Sequence, residues 1–246
     1  MCETCGCAVN HHHGHDHAHA HDHAVDFGGQ SLLALNDRLA AENRRQFREH
    51  GVTVINMCSS PGAGKTALLE KTMRMLGGEM KVAAIVGDLA TENDAGRLRA
   101  SGSPAKQITT GSACHLDAHM IHHALDDIEL ASLDLLLIEN VGNLVCPASF
   151  DLGEDIFVVV LSTTEGEDKP LKYPVIFLKA DVVLLNKIDL AEAAEFNQDA
   201  CLANIRRAAP KAMVYETSAR KGDGLDAWCD VLRRHVAAKK RAAQKA

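Results

Sequence analysis

Apolar residues recur along this chain in short runs of strand length, separated by polar stretches with helical spacing. The runs fall near 52–57, 82–87, 106–109, 134–139, 156–161, 182–186 and 212–216, and each is read as a strand. Runs such as Leu135-Leu136-Leu137-Ile138 are apolar at consecutive positions, which implies burial on both faces. The expected fold is therefore α/β, a doubly wound, mostly parallel sheet flanked by helices, with ligands gathered at the carboxyl ends of the strands. Residues 30–50 read as an amphipathic helix, with Leu32, Leu35, Leu39 and Phe47 near helical spacing and Gly51 as its stop. A last helix is expected from about 224 to 240. The chain thus divides into an extension at 1–29, a helix at 30–50 and the α/β domain at 51–246.

The first strand of that domain runs into Ser59-Ser60-Pro61-Gly62-Ala63-Gly64-Lys65-Thr66, then into a helical stretch from Ala67. Strand, glycine turn and helix start form a phosphate cradle: backbone N–H groups and the positive helix end face the anion. Lys65 reaches the outer phosphates and the Thr66 hydroxyl meets Mg2+. The turn follows the P-loop pattern except at its first position, where Ser59 stands for glycine. Ser60, Gly62, Ala63, Gly64, Lys65, Thr66 and Ala67 are the expected phosphate contacts.

Later strands deliver further candidates. Asp88 ends one, before Thr91, Asp94 and Arg97, and Glu139 ends another. Carboxylates there can hold Mg2+ directly or through water, which with Lys65 makes Asp88 and Glu139 the expected catalytic groups. Asn140-Val141-Gly142 follows Glu139 in the place of a D-x-x-G element, so the Gly142 N–H is expected to meet the γ-phosphate and the loop to respond to hydrolysis. Asn186-Lys187-Ile188-Asp189 is an N-K-x-D element after a buried strand. Asp189 accepts from guanine N1–H and the exocyclic amine, a donor pair that adenine lacks. Asn186 ties that loop to the phosphate turn, Lys187 lies over the ring, and Ser218-Ala219 covers the guanine oxygen. No Gln or Arg stands out as a water-positioning group, so slow, regulatory turnover is expected.

Composition adds metal chemistry. The chain has 246 residues, a net charge of −7, eight cysteines and fourteen histidines. The acidic balance argues against a nucleic-acid partner, and no apolar run is long enough to span a membrane. A cytoplasmic protein is expected, and there cysteines serve metal or burial before disulfides. Cys2, Cys5 and Cys7 crowd three thiols into six positions and can converge on one Ni2+ or Zn2+ ion, with the Cys2 amine as a fourth ligand if Met1 is removed. His11, His12, His13, His15, His17, His19, His21 and His23 follow, a run that suits weak, multi-site storage of Ni2+, Zn2+ or copper and is expected to be disordered.

A second constellation lies inside the domain. Cys114 and His115 are expected at a helix start, where the dipole lowers the thiol pKa, and Cys146 lies four residues beyond Gly142. These three are candidate Ni2+ or Zn2+ ligands, with a fourth from water or a second subunit. His119, His122 and His123 extend a histidine-bearing face, and Cys58, Cys201 and Cys229 are read as structural.

Taken together, the terminal C-x-x-C-x-C, the histidine run, the phosphate turn, Cys114-His115-Leu116-Asp117, the stretch Glu139–Pro147 and Asn186–Asp189 resemble the hydrogenase nickel-incorporation GTPases of the HypB family, SIMIBI-class P-loop GTPases. The resemblance implies a homodimeric GTPase that helps load nickel into [NiFe] hydrogenase. It implies a high-affinity nickel site at Cys2, Cys5 and Cys7, and a second nickel or zinc site at Cys114, His115 and Cys146 near the dimer interface. It also implies as partners a zinc-containing accessory protein and the hydrogenase large-subunit precursor. The alternatives are a nickel storage protein with a secondary nucleotide site, an accessory GTPase for urease or cobalamin enzymes, and an ATPase, which Asp189 opposes.

Overall fold

The computed structural model of the chain describes residues 31–89 and 93–243. Seven strands form one sheet: β1 (Thr53–Ser59), β2 (Val82–Asp88), β3 (Ala105–Thr109), β4 (Leu135–Glu139), β5 (Ile156–Ser162), β6 (Val182–Asn186) and β7 (Met213–Glu216). Every ladder is parallel and the order is β3-β2-β4-β1-β5-β6-β7. All seven expected strands are present. Their residues feed both faces in alternation: Ile55 and Met57 pack with Leu69, Met73 and Trp228, while Val54 packs with Phe47, Ile121 and Leu136. Two-sided burial of this kind is the physical reason the strands read as continuous apolar runs.

The helices are α1 (Leu32–Glu49), α2 (Lys65–Leu76), α3 (Asn93–Arg99), α4 (Ala118–Leu125), α5 (Lys169–Lys172), α6 (Pro174–Lys179), α7 (Gln198–Ala208) and α8 (Leu225–Ala243). Buried residues of α2 and α8 cover one face of the sheet; those of α1, α4, α6 and α7 cover the other. The chain winds first through β2, β3 and β4 on one side of β1, then through β5, β6 and β7 on the other. Connections therefore diverge from the carboxyl end of β1, where a doubly wound sheet opens its crevice. Met57 is level with Glu139, and Ser59 with Val160. No α-helix links β4 to β5; a short 3-10 turn at Cys146–Ser149 lies between them.

Two local expectations are corrected. The buried face of α1 is Asn36, Ala40, Asn43 and Phe47, not the leucine stripe; Leu32 is 44% exposed. The asparagines can be buried because both ends of each carboxamide are paired. Asn36 donates to the Asp151 carbonyl (2.9 Å) and accepts from the Ala118 N–H (2.8 Å). Asn43 donates to the carbonyls of Ala118 (2.9 Å) and Leu152 (3.2 Å), with His122 Nδ1 3.0 Å from its Oδ1. Asn43→Leu keeps the branched shape but removes the donor to both carbonyls and the partner of His122, so it is expected to cost about 2 kcal/mol or more in urea unfolding; an unchanged midpoint would contradict this. The second correction is that α4 begins at Ala118, with Asp117 as its N-cap accepting from Met120 N–H (2.8 Å). Cys114 and His115 therefore lie before the cap, not in the first helical turn.

Candidate functional site

The carboxyl ends of β1, β2, β4, β6 and β7 meet at one edge of the molecule, and the expected chemistry is strung along it. At β1 the chain turns through Gly62 and Gly64, both with positive φ (+77° and +103°). Gly64 is the N-cap of α2 in the left-handed region. A Cβ there would stand 2.5 Å from Asn186 Nδ2, so close approach as well as φ requires glycine. Lys65 is buried and donates to Ser59 Oγ (2.9 Å). The serine that replaces the usual first glycine thus receives the lysine ammonium, whose pKa is pushed down by burial.

Thr66 Oγ1 donates to Glu139 Oε1 (2.7 Å). Glu139 is 4% exposed, and its Oε2 has no hydrogen-bond partner among the described residues. Burial raises its carboxyl to about 7, against the pull of Lys65 and Thr66. A buried carboxylate oxygen without a donor, beside a threonine hydroxyl, is a donor set that fits a hard cation such as Mg2+. A cleft of about 380 Å3 opens here, lined by Gly62, Lys65, Thr66, Asp88, Glu139 and Gly142 among others. Asp94 and Arg97 also line it, but Arg97 is engaged by Glu70 (3.0 Å) and Asp94 (3.7 Å). A larger hollow of about 620 Å3 at the amino ends of β2 and β3 contains none of the motif residues.

The far side of the phosphate turn is held by the 186–189 loop. Asn186 donates to the Ala63 carbonyl (2.9 Å) and accepts from the Ala219 N–H (3.2 Å). Lys187, at φ +61°, donates to the Gly62 carbonyl (2.7 Å). Asp189 Oδ1 accepts from Ser218 Oγ (2.6 Å). Sequence reasoning missed Lys169, which donates to Ser60 Oγ (3.1 Å) and lies 3.5 Å from Glu165. It stands in no motif, so only the fold could find it.

The loop after β4 carries the second cluster. Gly142 leans on the phosphate turn: a Cβ there would lie 3.0 Å from Pro61 Cα, N and Cγ. Four residues on, Cys146 Sγ lies 2.9 Å from Cys114 Sγ, and Cys114 Sγ lies 3.7 Å from His115 Nδ1. The two sulfurs and one imidazole nitrogen, candidate metal ligands, all fall within 4.8 Å of one another. Burial lowers the His115 pKa, which favours the neutral, ligating imidazole, and its ring stacks on Phe150 (centroids 3.9 Å). Two sulfurs bound at about 2.3 Å stand about 3.3 Å apart around a square-planar ion and about 3.8 Å apart around a tetrahedral one. The pair therefore opens less to admit the former. Cys58, Cys201 and Cys229 are buried, with thiols pushed up by burial to about 12 for Cys201 and about 11 for Cys229. Cys2, Cys5, Cys7, the histidines from His11 to His23, and Thr91 lie outside the described residues.

Sheet order, phosphate turn and cleft define a P-loop nucleotide-binding protein of the doubly wound α/β class. The model of the "CobW/HypB/UreG, nucleotide-binding domain" matches residues 53–216. The hydrogenase maturation factor HypB of Azotobacter vinelandii is 52% identical over 213 residues, spanning 87% of this chain and 70% of the relative. That of Escherichia coli K12 is 50% identical over 201 residues, spanning 82% and 69%. Among solved structures, HypB from Archaeoglobus fulgidus superposes with a TM-score of 0.78 at 44% identity, covering 82% of this chain and 99% of that one. HypB from Helicobacter pylori in complex with nickel gives 0.79 at 40% identity, covering 83% and 96%. This chain belongs to the CobW/HypB/UreG family and, within it, to the HypB hydrogenase maturation factors.

Proposed function

We propose that this hydrogenase maturation factor is a GTP-hydrolysing nickel metallochaperone, in which nucleotide state governs a nickel or zinc site at Cys114, His115 and Cys146. The carrying observation is the tether: Cys146 lies four residues beyond Gly142 and its sulfur is 2.9 Å from that of Cys114. The nickel complex of the Helicobacter pylori relative supports the choice of cargo.

In this reading the α2 N-terminus, the turn amides and Lys65 hold the phosphates, with Ser60, Gly62, Ala63, Gly64 and Ala67 lining the turn. Thr66, with Asp88 and Glu139, would hold Mg2+, which supplies charge neutralisation on the phosphate oxygens. Gly142 offers its N–H to the γ-phosphate. Asp189 reads guanine, Lys187 spans the base position while anchored on Gly62, and Ser218 and Ala219 close over the guanine oxygen. Among the described residues the arginine lining the cleft is Arg97, which is held by Glu70 and Asp94 and would have to leave them to neutralise the transferring group, so turnover is slow. GTP orders the loops at Asp88 and Glu139–Gly142 and favours a homodimer, and nickel passes toward the [NiFe] hydrogenase large-subunit precursor with help from a zinc-containing accessory protein. Cys2, Cys5 and Cys7 form a separate high-affinity nickel site and the histidine run a store. Among the described residues no helix is long and apolar enough to cross a membrane, and a cytoplasmic location goes with this reading.

The test is Cys146→Ala in the full chain with Cys2, Cys5 and Cys7 changed to alanine. Nickel affinity at the remaining thiol site is expected to fall at least about 100-fold, since even the loss of an outer-shell partner costs 10–100-fold; unchanged thiolate-to-nickel absorption would remove the assignment. Service to urease is a second reading, favoured by the 41% identical Helicobacter pylori relative, named a hydrogenase/urease maturation factor.

A further inference from the structure

The loop between Glu139 and Cys146 carries two asparagines whose side chains reach across the site. Asn140 is 1% exposed. Its Oδ1 accepts from the N–H groups of Leu116 (3.0 Å) and Val141 (3.0 Å), and its Nδ2 donates to Asn56 Oδ1 (3.2 Å) inside β1. Leu116 directly follows His115, so this amide pins the segment bearing Cys114 and His115 to the residue after Glu139. Leu116 is itself fully buried against Gly87, where a Cβ would meet its Cγ at 2.7 Å, one residue before Asp88. Asn143 is half-buried and spans both arms of the sulfur pair. Its Nδ2 donates to the Cys114 carbonyl (3.3 Å), and its Oδ1 accepts from the Val145 N–H (2.8 Å), next to Cys146. Between the two asparagines, Gly142 rests on Pro61 of the phosphate turn.

We propose that Asn140 and Asn143 are positioning residues through which the phosphate cleft and the Cys114–His115–Cys146 cluster constrain each other. The proposal rests on the functional reading above and names the parts that carry its coupling. A displacement of Gly142 is shared with Asn140 and Asn143, because all three lie within four residues of one loop. Each asparagine passes it to a backbone group beside a ligand: the Leu116 N–H, the Cys114 carbonyl, the Val145 N–H. A carboxamide is needed because each side chain donates to one segment while accepting from another. A caesura in either bond lets the sulfur pair keep one separation whatever occupies the cleft.

The experiment uses the full-length chain with Cys2→Ala, Cys5→Ala and Cys7→Ala. Ni2+ is titrated with Mg2+ and either GDP or a non-hydrolysable GTP analogue, read by thiolate-to-nickel charge-transfer absorption, which the histidine run does not produce. In the parent chain the two nickel affinities are expected to differ by about fivefold or more, the lower end of typical site-to-site coupling. Asn143→Ala is expected to bring the ratio to within about twofold while the absorption at saturation remains. Asn140→Asp, which retains the acceptor for Leu116 but loses the donor to Asn56, is expected to reduce the ratio as well. If both variants weaken nickel equally in the two nucleotide states and keep the parent ratio, the asparagines merely hold the loop and the proposal is overturned while the coupling stands. If the parent ratio is itself one, the functional reading fails and the proposal fails with it.

Discussion

Lys65→Ala is expected to reduce GTP turnover by at least about 1,000-fold, with the fold retained. Removing a single neutral donor from a developing anion costs about 100–1,000-fold, and a full charge in a water-poor site is worth more. Stability should change little, because the ammonium is already desolvated and its hydrogen bond is to a neutral hydroxyl, Ser59 Oγ. Its loss also removes the cation that most opposes the effect of burial on Glu139, which drives that carboxyl toward the protonated, non-ligating form. Phosphate release under single-turnover conditions checks this. Persistent hydrolysis would remove the phosphate-turn assignment and, with it, the expected role of Thr66.

Asp189→Asn is expected to weaken guanine nucleotides by about 100-fold to 10,000-fold, since two hydrogen bonds to a charged acceptor are worth about 1.5–3 kcal/mol each. The substitution exchanges one acceptor oxygen for a donor, so xanthine nucleotides, which present a carbonyl where guanine presents its amine, should gain what guanine loses. Ser218 Oγ, which now donates to Asp189, can turn to either amide atom, so the loop should survive. Competition among GTP, XTP and ATP against a fluorescent guanine nucleotide reads the change. A variant that still prefers guanine, or a wild-type chain that binds ATP equally well, would contradict the guanine-reading role of the 186–189 loop.

The sheet was legible in the sequence because its strands are buried on both sides. Leu135–Ile138 and Val182–Leu185 can be nothing but interior, and turn residues bound them. The phosphate turn and the 186–189 element were legible because their spacing encodes local backbone geometry. Long-range pairing hid the rest. The inward face of α1 carries Asn36 and Asn43, which a hydrophobic pattern counts as outward; their partners at Ala118, Asp151 and Leu152 are supplied by distant segments. The start of α4 was misplaced for the same reason: residues 114–116 are held by Asn140 and Asn143 rather than by helical bonds. Lys169 and Ser60 are separated by 109 positions, and neither signals the other. That Cys146 would approach Cys114 could be suspected from composition, but the 2.9 Å separation comes from the helix-free connection between β4 and β5.

If nucleotide and nickel answer to one loop, the coupling must run in both directions. The most direct measurement is the affinity of the full-length chain, with Cys2, Cys5 and Cys7 as alanine, for a non-hydrolysable GTP analogue relative to GDP, taken with and without saturating nickel. Nickel is expected to shift this preference by the same factor by which nucleotide shifts nickel affinity, and Cys146→Ala to abolish the shift. A preference that nickel leaves untouched would show the cleft and the sulfur pair to be neighbours that act independently.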